Sequence, residues 1–169
     1  LGNAWFVSDI LWVENADQEL AALNDFNPKN TAIIDERFRE LVTVGQIISD
    51  TLASIQLTYY QPNRLVYSTN NTTDQLAVFS EIFYPDGWKV FVDGNEAAQF
   101  RVNYVLRGMI VPAGTLEIEF RFEPVSFIVG ERIALFSSII MVVMIIVWIV
   151  KSGLNIWGKR KDTPPQQKS

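Results

Sequence analysis

Apolar residues alternate with charged ones through the sequence LEIEFRFE, which spans residues 116–123. Successive side chains of a β-strand point to opposite faces, so this period of two predicts a strand with one buried and one solvated face. The predicted buried face carries Leu116, Ile118, Phe120 and Phe122, and the predicted solvated face carries Glu117, Glu119, Arg121 and Glu123.

Strand and turn signals alternate at short spacing from Ser54 onward, without an internal repeat. Proline presets φ and glycine accepts a positive φ, so Pro85-Asp86-Gly87 favours a turn, and Asp93-Gly94 is typical of a hairpin. We therefore predict a mostly β protein built on an antiparallel β-sandwich of jelly-roll or immunoglobulin-like type. The other predicted strands are residues 54–61, 64–68, 75–84, 88–92, 100–102 and 105–111.

The first 53 residues predict a small α/β lead-in to this sandwich. Ala4–Val13 alternates well enough for one half-buried strand, and residues 31–34 form a short β-like run. Asn15 or Asp17 would cap a helix that places Leu20, Leu23 and Phe26 on one apolar face and that Pro28 ends, and residues 35–41 favour a further helical turn.

An apolar segment predicts one transmembrane helix near the end of the chain. Residues 133–150 are 18 consecutive uncharged residues, about the length that crosses a hydrocarbon core of roughly 30 Å. The exceptions to its apolar character are Ser137 and Ser138, which a helix satisfies by bonding them to its own carbonyls. We predict four parts: the lead-in (1–53), the sandwich (54–124), a membrane-proximal linker with the transmembrane helix (125–151), and a polar tail (152–169).

Charge is distributed unevenly about this segment and predicts its orientation. Residues 1–132 have a net charge of -9 and residues 133–169 one of +4, with four of the five later cations close behind the apolar run. By the positive-inside rule the C-terminus lies in the cytoplasm and residues 1 to about 130 lie outside. An outside domain needs a translocation signal, so we expect a signal peptide or further membrane helices upstream of Leu1.

Composition excludes several kinds of chemistry. The chain has neither cysteine nor histidine, so disulfides, thiolate nucleophiles, zinc sites of the Cys/His type and imidazole bases are excluded. Phosphate backbones bind to clustered basic surfaces, and the acidic front part has none, so a nucleic-acid partner is excluded as well.

Acidic residues give two candidate sites. Glu117, Glu119 and Glu123 share one strand face, where a carboxylate pair can act on a glycosidic bond, but an exposed strand face accounts for them better. A calcium site is the other candidate, although its aspartates sit in turn-forming sequences and are better explained as turn residues. These aspartates are Asp74, Asp86 and Asp93. We predict no metal, no cofactor and no catalytic residue in the chain.

Aromatic side chains offer flat faces for sugar rings, and nearby Asn and Arg side chains can donate to hydroxyls or phosphate. A sandwich rich in aromatic residues would use most of them in its core, so this binding hypothesis competes with a structural one. The candidates are Tyr59, Tyr60, Tyr84, Trp88 and Tyr104, with Arg101, Asn103 and Arg107 as donors.

Several sequence motifs together resemble the C-terminal region of the YfhO-type bacterial membrane protein family. The resemblance covers nearly the whole chain, and residues 86–114 are its most family-specific part. The motifs are GNAWFV (2–7), NAD (15–17), ALNDFNPKNTAII (22–34), YYQPN (59–63), NNTTDQLAVFSEIFYPDGW (70–88), VDG (92–94), FRVNYVLRGMIVPAG (100–114) and EFRFEP (119–124).

The resemblance implies a polytopic protein of the bacterial cytoplasmic membrane, similar to glycosyltransferases that move a sugar from a lipid-phosphate carrier to an extracytoplasmic acceptor. Its partners would be the lipid bilayer, upstream membrane helices of the same protein and a cell-envelope glycan or lipid-linked sugar. Such enzymes are expected to hold their catalytic acidic residue near the N-terminus, so none is carried over to this chain. Within it we predict Trp88, Asn103, Tyr104 and Arg107 as acceptor contacts.

Two other functions remain open at this point. One is a single-pass surface protein whose sandwich binds carbohydrate without a transferase. The other is a domain that only braces a membrane assembly.

Overall fold

The computed structural model describes residues 1–42, 47 and 50–161, with the backbone alone at 125–129, 131, 150 and 152–161. The polar tail predicted at 152–169 therefore lies outside the described residues from 162 on. The chain divides into two compact units, Leu1–Pro124 and Val125–Ser169. Within the described residues the elements are β1 (Ala4–Val7), β2 (Asp9–Val13), α1 (Ala16–Ala22), β3 (Thr31–Asp35), a 3₁₀ helix (Glu36–Leu41), β4 (Ser54–Gln61), β5 (Arg64–Asn70), β6 (Gln75–Ile82), β7 (Trp88–Val92), β8 (Asn95–Ala97), β9 (Phe100–Val102), β10 (Leu106–Val111), β11 (Glu117–Phe122) and α2 (Val125–Lys161).

Two antiparallel sheets make up most of the described part of the first unit. One has four strands in the order β1-β6-β10-β9, and the other has five in the order β4-β5-β11-β7-β8. A third sheet is the parallel pair of β2 and β3, and α1 contacts both of its strands. The predicted mostly β architecture with antiparallel sheets and a small N-terminal α/β part is confirmed.

Aromatic rings from both large sheets meet in one core. Tyr67 of β5 and Phe120 of β11 each lie edge-on to Phe79 of β6, with ring centroids 4.9 Å apart in both pairs. Edge-to-face packing of this kind adds to the hydrophobic gain of burial. The core residues are Ala4, Leu65, Tyr67, Ala77, Phe79, Val90, Met109, Val111, Ile118 and Phe120.

A second core lies on the other face of the four-stranded sheet, against the small parallel sheet. Leu76 and Val78 of β6 pack here with Ala32 and Ile34 of β3, whereas Ala77 and Phe79 of β6 face the first core. A strand buried on both faces reads as a continuous apolar run, and the sequence QLAVF at the start of β6 has that form.

The predicted single strand over Ala4–Val13 is wrong, because the chain breaks it at Ser8. The backbone N–H groups of Ser8 and Asp9 both donate to the carbonyl of Asn30, at 2.9 Å each. The residues before this point pair with β6 and those after it pair with β3. One apolar run therefore supplies two different sheets.

The first helix begins as predicted and is capped by Asn15, whose side chain accepts from the N–H of Gln18 at 3.0 Å. It ends at Ala22, however, before the predicted end at Pro28. Its predicted apolar face is wrong. Leu20 is 50% exposed, whereas Glu19 is fully buried. A polar contact and not an apolar stripe therefore fixes the orientation of this helix.

Candidate functional site

The four predicted acceptor contacts fall into two separate groups in the first unit. Trp88 and Arg107 stack on each other, with the Arg107 guanidinium carbon 4.2 Å from the centroid of the Trp88 ring. Asn103 and Tyr104 follow β9 and contact β3 and α1. None of these contacts links Trp88 or Arg107 to Asn103 or Tyr104, so they form two separate groups of contacts.

Local structure explains how Trp88 and Arg107 come together. Trp88 begins β7 directly after the predicted turn, where Gly87 has φ of 120° and a Cβ would lie 2.8 Å from the Phe122 ring. Only glycine fits that position. Arg107 follows a register shift in β10, next to Leu106, so its side chain turns toward the first core.

Arg107 is nearly enclosed by protein and is 3% exposed. Its Nε donates to the carbonyl of Ile82 at 3.0 Å, and its guanidinium lies 5.2 Å from the Phe120 ring centroid as well as against Trp88. Nη1 is buried without a hydrogen-bond partner among the described residues. Trp88 is half-buried and also packs against Phe122, with ring centroids 5.3 Å apart, so the pair is a partly exposed aromatic ring backed by an enclosed cation.

The same region holds a second enclosed polar group, the Tyr67 hydroxyl, which is buried without a hydrogen-bond partner among the described residues. Burial raises the pKa of the Tyr67 phenol, and the charge of Glu81 adds to this rise. Burial also lowers the pKa of the Arg107 guanidinium, an effect that Glu81 opposes. Because burial disfavours each charged form, Tyr67 stays a neutral phenol here.

Asn103 and Tyr104 tie the turn after β9 to β3 and α1. Both have positive φ, at 49° and 71°. The Asn103 side-chain oxygen accepts from the N–H of Ile33 at 2.8 Å, and the Asn103 N–H donates to the Ile33 carbonyl at 2.9 Å. Asparagine tolerates this left-handed conformation better than most residues, which explains its place in the turn.

Glu19 is the polar residue that the sequence did not identify. Its carboxylate accepts from Arg101 Nη2 at 2.6 Å and from the Tyr104 N–H at 2.7 Å. Arg101 also lies 4.0 Å from Asp35, so a buried ionic cluster joins α1, β3 and the turn after β9. No hydrophobic period reveals a buried acid on a short helix, so only the fold shows it.

Glu119, one of the three acidic residues considered for a carboxylate pair, is held in ion pairs. Glu119, predicted on the solvated face, is 5% exposed and lies between Arg64, at 2.5 Å, and Arg121. The hydrogen bond from Arg121, with that from Arg64, holds the pKa of the Glu119 carboxyl below its usual range. A carboxylate stabilised in its charged form is a poor proton donor.

Two of the three aspartates considered for calcium organise turns. Asp93, with φ of 47°, accepts from the N–H of Glu117 at 2.9 Å, and Asp74 accepts from the N–H of Ala113 at 2.8 Å. Within the described residues, no group of three or more acidic side chains could hold a metal ion.

A polar cleft of about 360 Å³ lies between the edge strands β1 and β4. Strand edges present unpaired backbone groups, so such a cleft combines backbone and side-chain donors. No predicted contact residue lines it. Its lining includes Trp5, Lys29, Asn30, Asp50 and Gln56.

The second unit contains the apolar segment. Within the described part of the chain, one helix is long and apolar enough to cross a membrane, and its candidate span is Arg132–Ile149. The hydroxyls of Ser137 and Ser138 donate to the carbonyl of Ala134, at 2.9 and 2.8 Å, as predicted. Each serine is therefore satisfied inside the helix.

A mostly β domain followed by a candidate membrane span defines a class of membrane-anchored protein. The comparison with protein families identifies it further: the model described as bacterial membrane protein YfhO matches residues 29–134, more than half of the chain, and this chain belongs to that family. A comparison with curated proteins and one with solved structures give no match.

Proposed function

We propose that this chain is the extracytoplasmic C-terminal domain and last membrane helix of a YfhO protein that transfers a sugar from a lipid-phosphate carrier to a cell-envelope acceptor. The observation that carries the proposal is the extent of the family match, which runs through the β domain and into α2. The matched region thus includes most of the β domain and the first ten residues of α2. The transferase activity itself is inferred from the resemblance.

The orientation and the finer fold belong to the same proposal. The cations that follow the span favour a cytoplasmic C-terminus by the positive-inside rule. The shared aromatic core of the two large sheets supports a β-sandwich, and the jelly-roll or immunoglobulin-like type is the closest description of it.

In this proposal the domain binds the acceptor and supplies no catalytic residue. Trp88 gives the aromatic face on which a sugar ring stacks. Arg107 holds the Trp88 ring in place by stacking on it. Asn103 and Tyr104 hold the turn after β9 in place. The acceptor contact therefore rests mainly on Trp88.

A bracing function is the second candidate, and burial favours it. Arg107 and Asn103 are 3% and 5% exposed, and both bind main-chain groups of neighbouring strands. Side chains used in this way stabilise the domain and contribute no direct contact to an acceptor.

The test uses the complete membrane protein in its bacterium, with Trp88→Ala and the conservative control Trp88→Phe. Sugar incorporation into the cell envelope and the amount of protein in the membrane are measured together. Acceptor binding predicts a loss of incorporation in Trp88→Ala at normal protein level, with rescue in Trp88→Phe. Bracing predicts that incorporation falls only in proportion to the protein level.

Deleting the gene tests the activity itself. A transferase requires that one envelope sugar disappears and that its lipid-linked donor accumulates. An unchanged envelope composition would refute the transferase proposal while leaving the family assignment intact.

A further inference from the structure

Exposed apolar side chains surround the point at which the chain leaves the β domain. Ile82 is 70% exposed, Tyr84 51%, Val105 46% and Phe122 37%. We call these four residues the exit rim. Large exposed apolar groups that gather in one place commonly mark an interaction surface.

Hydrogen bonds and packing place the exit rim around one loop, residues 83–87. The N–H of Phe83 donates to the carbonyl of Val105 at 2.7 Å, and the N–H of Glu123 donates to the carbonyl of Gly87 at 2.6 Å. At the other end of the loop, Trp88 packs against Phe122, with ring centroids 5.3 Å apart. The rim therefore lies next to Pro124, the last residue of the domain.

Chain length supplies the argument for what covers the rim. Residues 125–131 separate Pro124 from the candidate span, which begins at Arg132. Seven residues reach at most about 25 Å even when fully extended. Tyrosine and tryptophan are enriched at membrane–water interfaces, where tyrosine keeps its hydroxyl among the headgroups. Exposed aliphatic side chains gain free energy there by leaving water.

We propose that the exit rim of Ile82, Tyr84, Val105 and Phe122 inserts into the headgroup region of the outer membrane leaflet. The inference depends on the membrane anchoring in the proposed function and is independent of sugar transfer. Charged groups lie close to the rim, which suits the polar headgroup region better than the hydrocarbon core. Asp86 is exposed in the same loop, and Lys89 follows in β7 with an ion pair to Glu123 at 3.6 Å.

A matched control lies at the opposite end of β11. Leu116 precedes this strand and is 72% exposed, nearly the same fraction as Ile82, whereas Phe122 ends the strand in the exit rim. Exposure alone would give Ile82 and Leu116 the same behaviour. Membrane insertion of the exit rim predicts lipid contact for Ile82 and none for Leu116.

The absence of cysteine makes a labelling experiment direct. Single variants Ile82→Cys, Tyr84→Cys and Leu116→Cys of the full chain are labelled with an environment-sensitive fluorophore. The protein is reconstituted into vesicles of phosphatidylethanolamine and phosphatidylglycerol that carry a headgroup nitroxide quencher. Ser137→Cys, in the span, reports whether the helix has inserted.

Membrane contact predicts that labels at residues 82 and 84 are quenched at least about twofold more strongly than a label at residue 116. Equal quenching at 82 and 116 would overturn the proposal. A label at 82 that is shielded from both the lipid quencher and aqueous iodide would overturn it too, because a protein surface would then cover the rim. A label at 137 that the lipid nitroxide does not quench would instead refute the membrane anchoring.

Discussion

Replacement of Glu19 by alanine tests whether a buried ion pair, and not an apolar face, holds the first helix to the domain. Glu19 is fully buried and accepts from Arg101 Nη2 and from the Tyr104 N–H, at 2.6 and 2.7 Å. The alanine variant leaves both donors without this acceptor. It also removes the contact that ties α1 to the turn after β9.

The expected loss follows from the burial of the two partners. Removing one member of a buried pair costs about 3–5 kcal/mol. The Arg101 side chain is 21% exposed and has Asp35 at 4.0 Å, so part of its charge is compensated and we expect a loss of about 3 kcal/mol in the free energy of unfolding. Glu19→Gln keeps one acceptor oxygen without the charge, and should cost about 1–2 kcal/mol.

Urea unfolding of the full chain in detergent micelles, followed by tryptophan fluorescence, measures these losses. The matched control is Leu20→Ala on the same helix. Leu20 is half-exposed, so its replacement should cost under about 0.5 kcal/mol. The hydrophobic pattern alone predicts the opposite order. A larger loss for Leu20→Ala than for Glu19→Ala would show that the apolar residue, and not the ion pair, holds the helix.

Two further predictions concern the large sheets. Hydrogen bonds from Arg121 and Arg64 lower the pKa of Glu119. The stabilisation that these ion pairs give the folded domain is therefore complete above the ordinary pKa of 4.5 and is lost as the pH falls through the lowered pKa. The difference in unfolding midpoint between wild type and Glu119→Gln should therefore shrink below about pH 4.5, and a constant difference down to pH 3 would contradict this. Gly108→Ala should cost about 1–3 kcal/mol by overpacking, since its Cβ would lie 2.5 Å from Val102 Cγ1, and an unchanged urea midpoint would count against it.

Much of the fold could be predicted because its strands carry local signals. The alternation in β11 and the turn before Trp88 depend on residues adjacent in sequence, so the limits of β4, β7 and β9 agree with the sequence prediction. The candidate membrane span was predictable for the same reason, since its length and composition are local properties.

The buried ion pairs around the candidate residues were harder to predict because they join distant parts of the chain. Glu19 and Arg101 are 82 residues apart, and Arg64 and Glu119 are 55 apart. Alternation placed Glu119 on a solvated face, but two guanidinium groups cover it there. A charged residue carries no local sign of whether a partner will bury it.

The same contacts bear on which part of the chain is the folding unit. The family match begins at residue 29, yet β1 pairs with β6 in the core and Trp5 donates to the carbonyl of Pro28 at 2.7 Å. Glu19, also before the match, neutralises Arg101 within it. The matched region alone would lack an edge strand of the four-stranded sheet and would leave a half-buried arginine without its main partner. Folding of the β domain therefore depends on residues that the family match does not include.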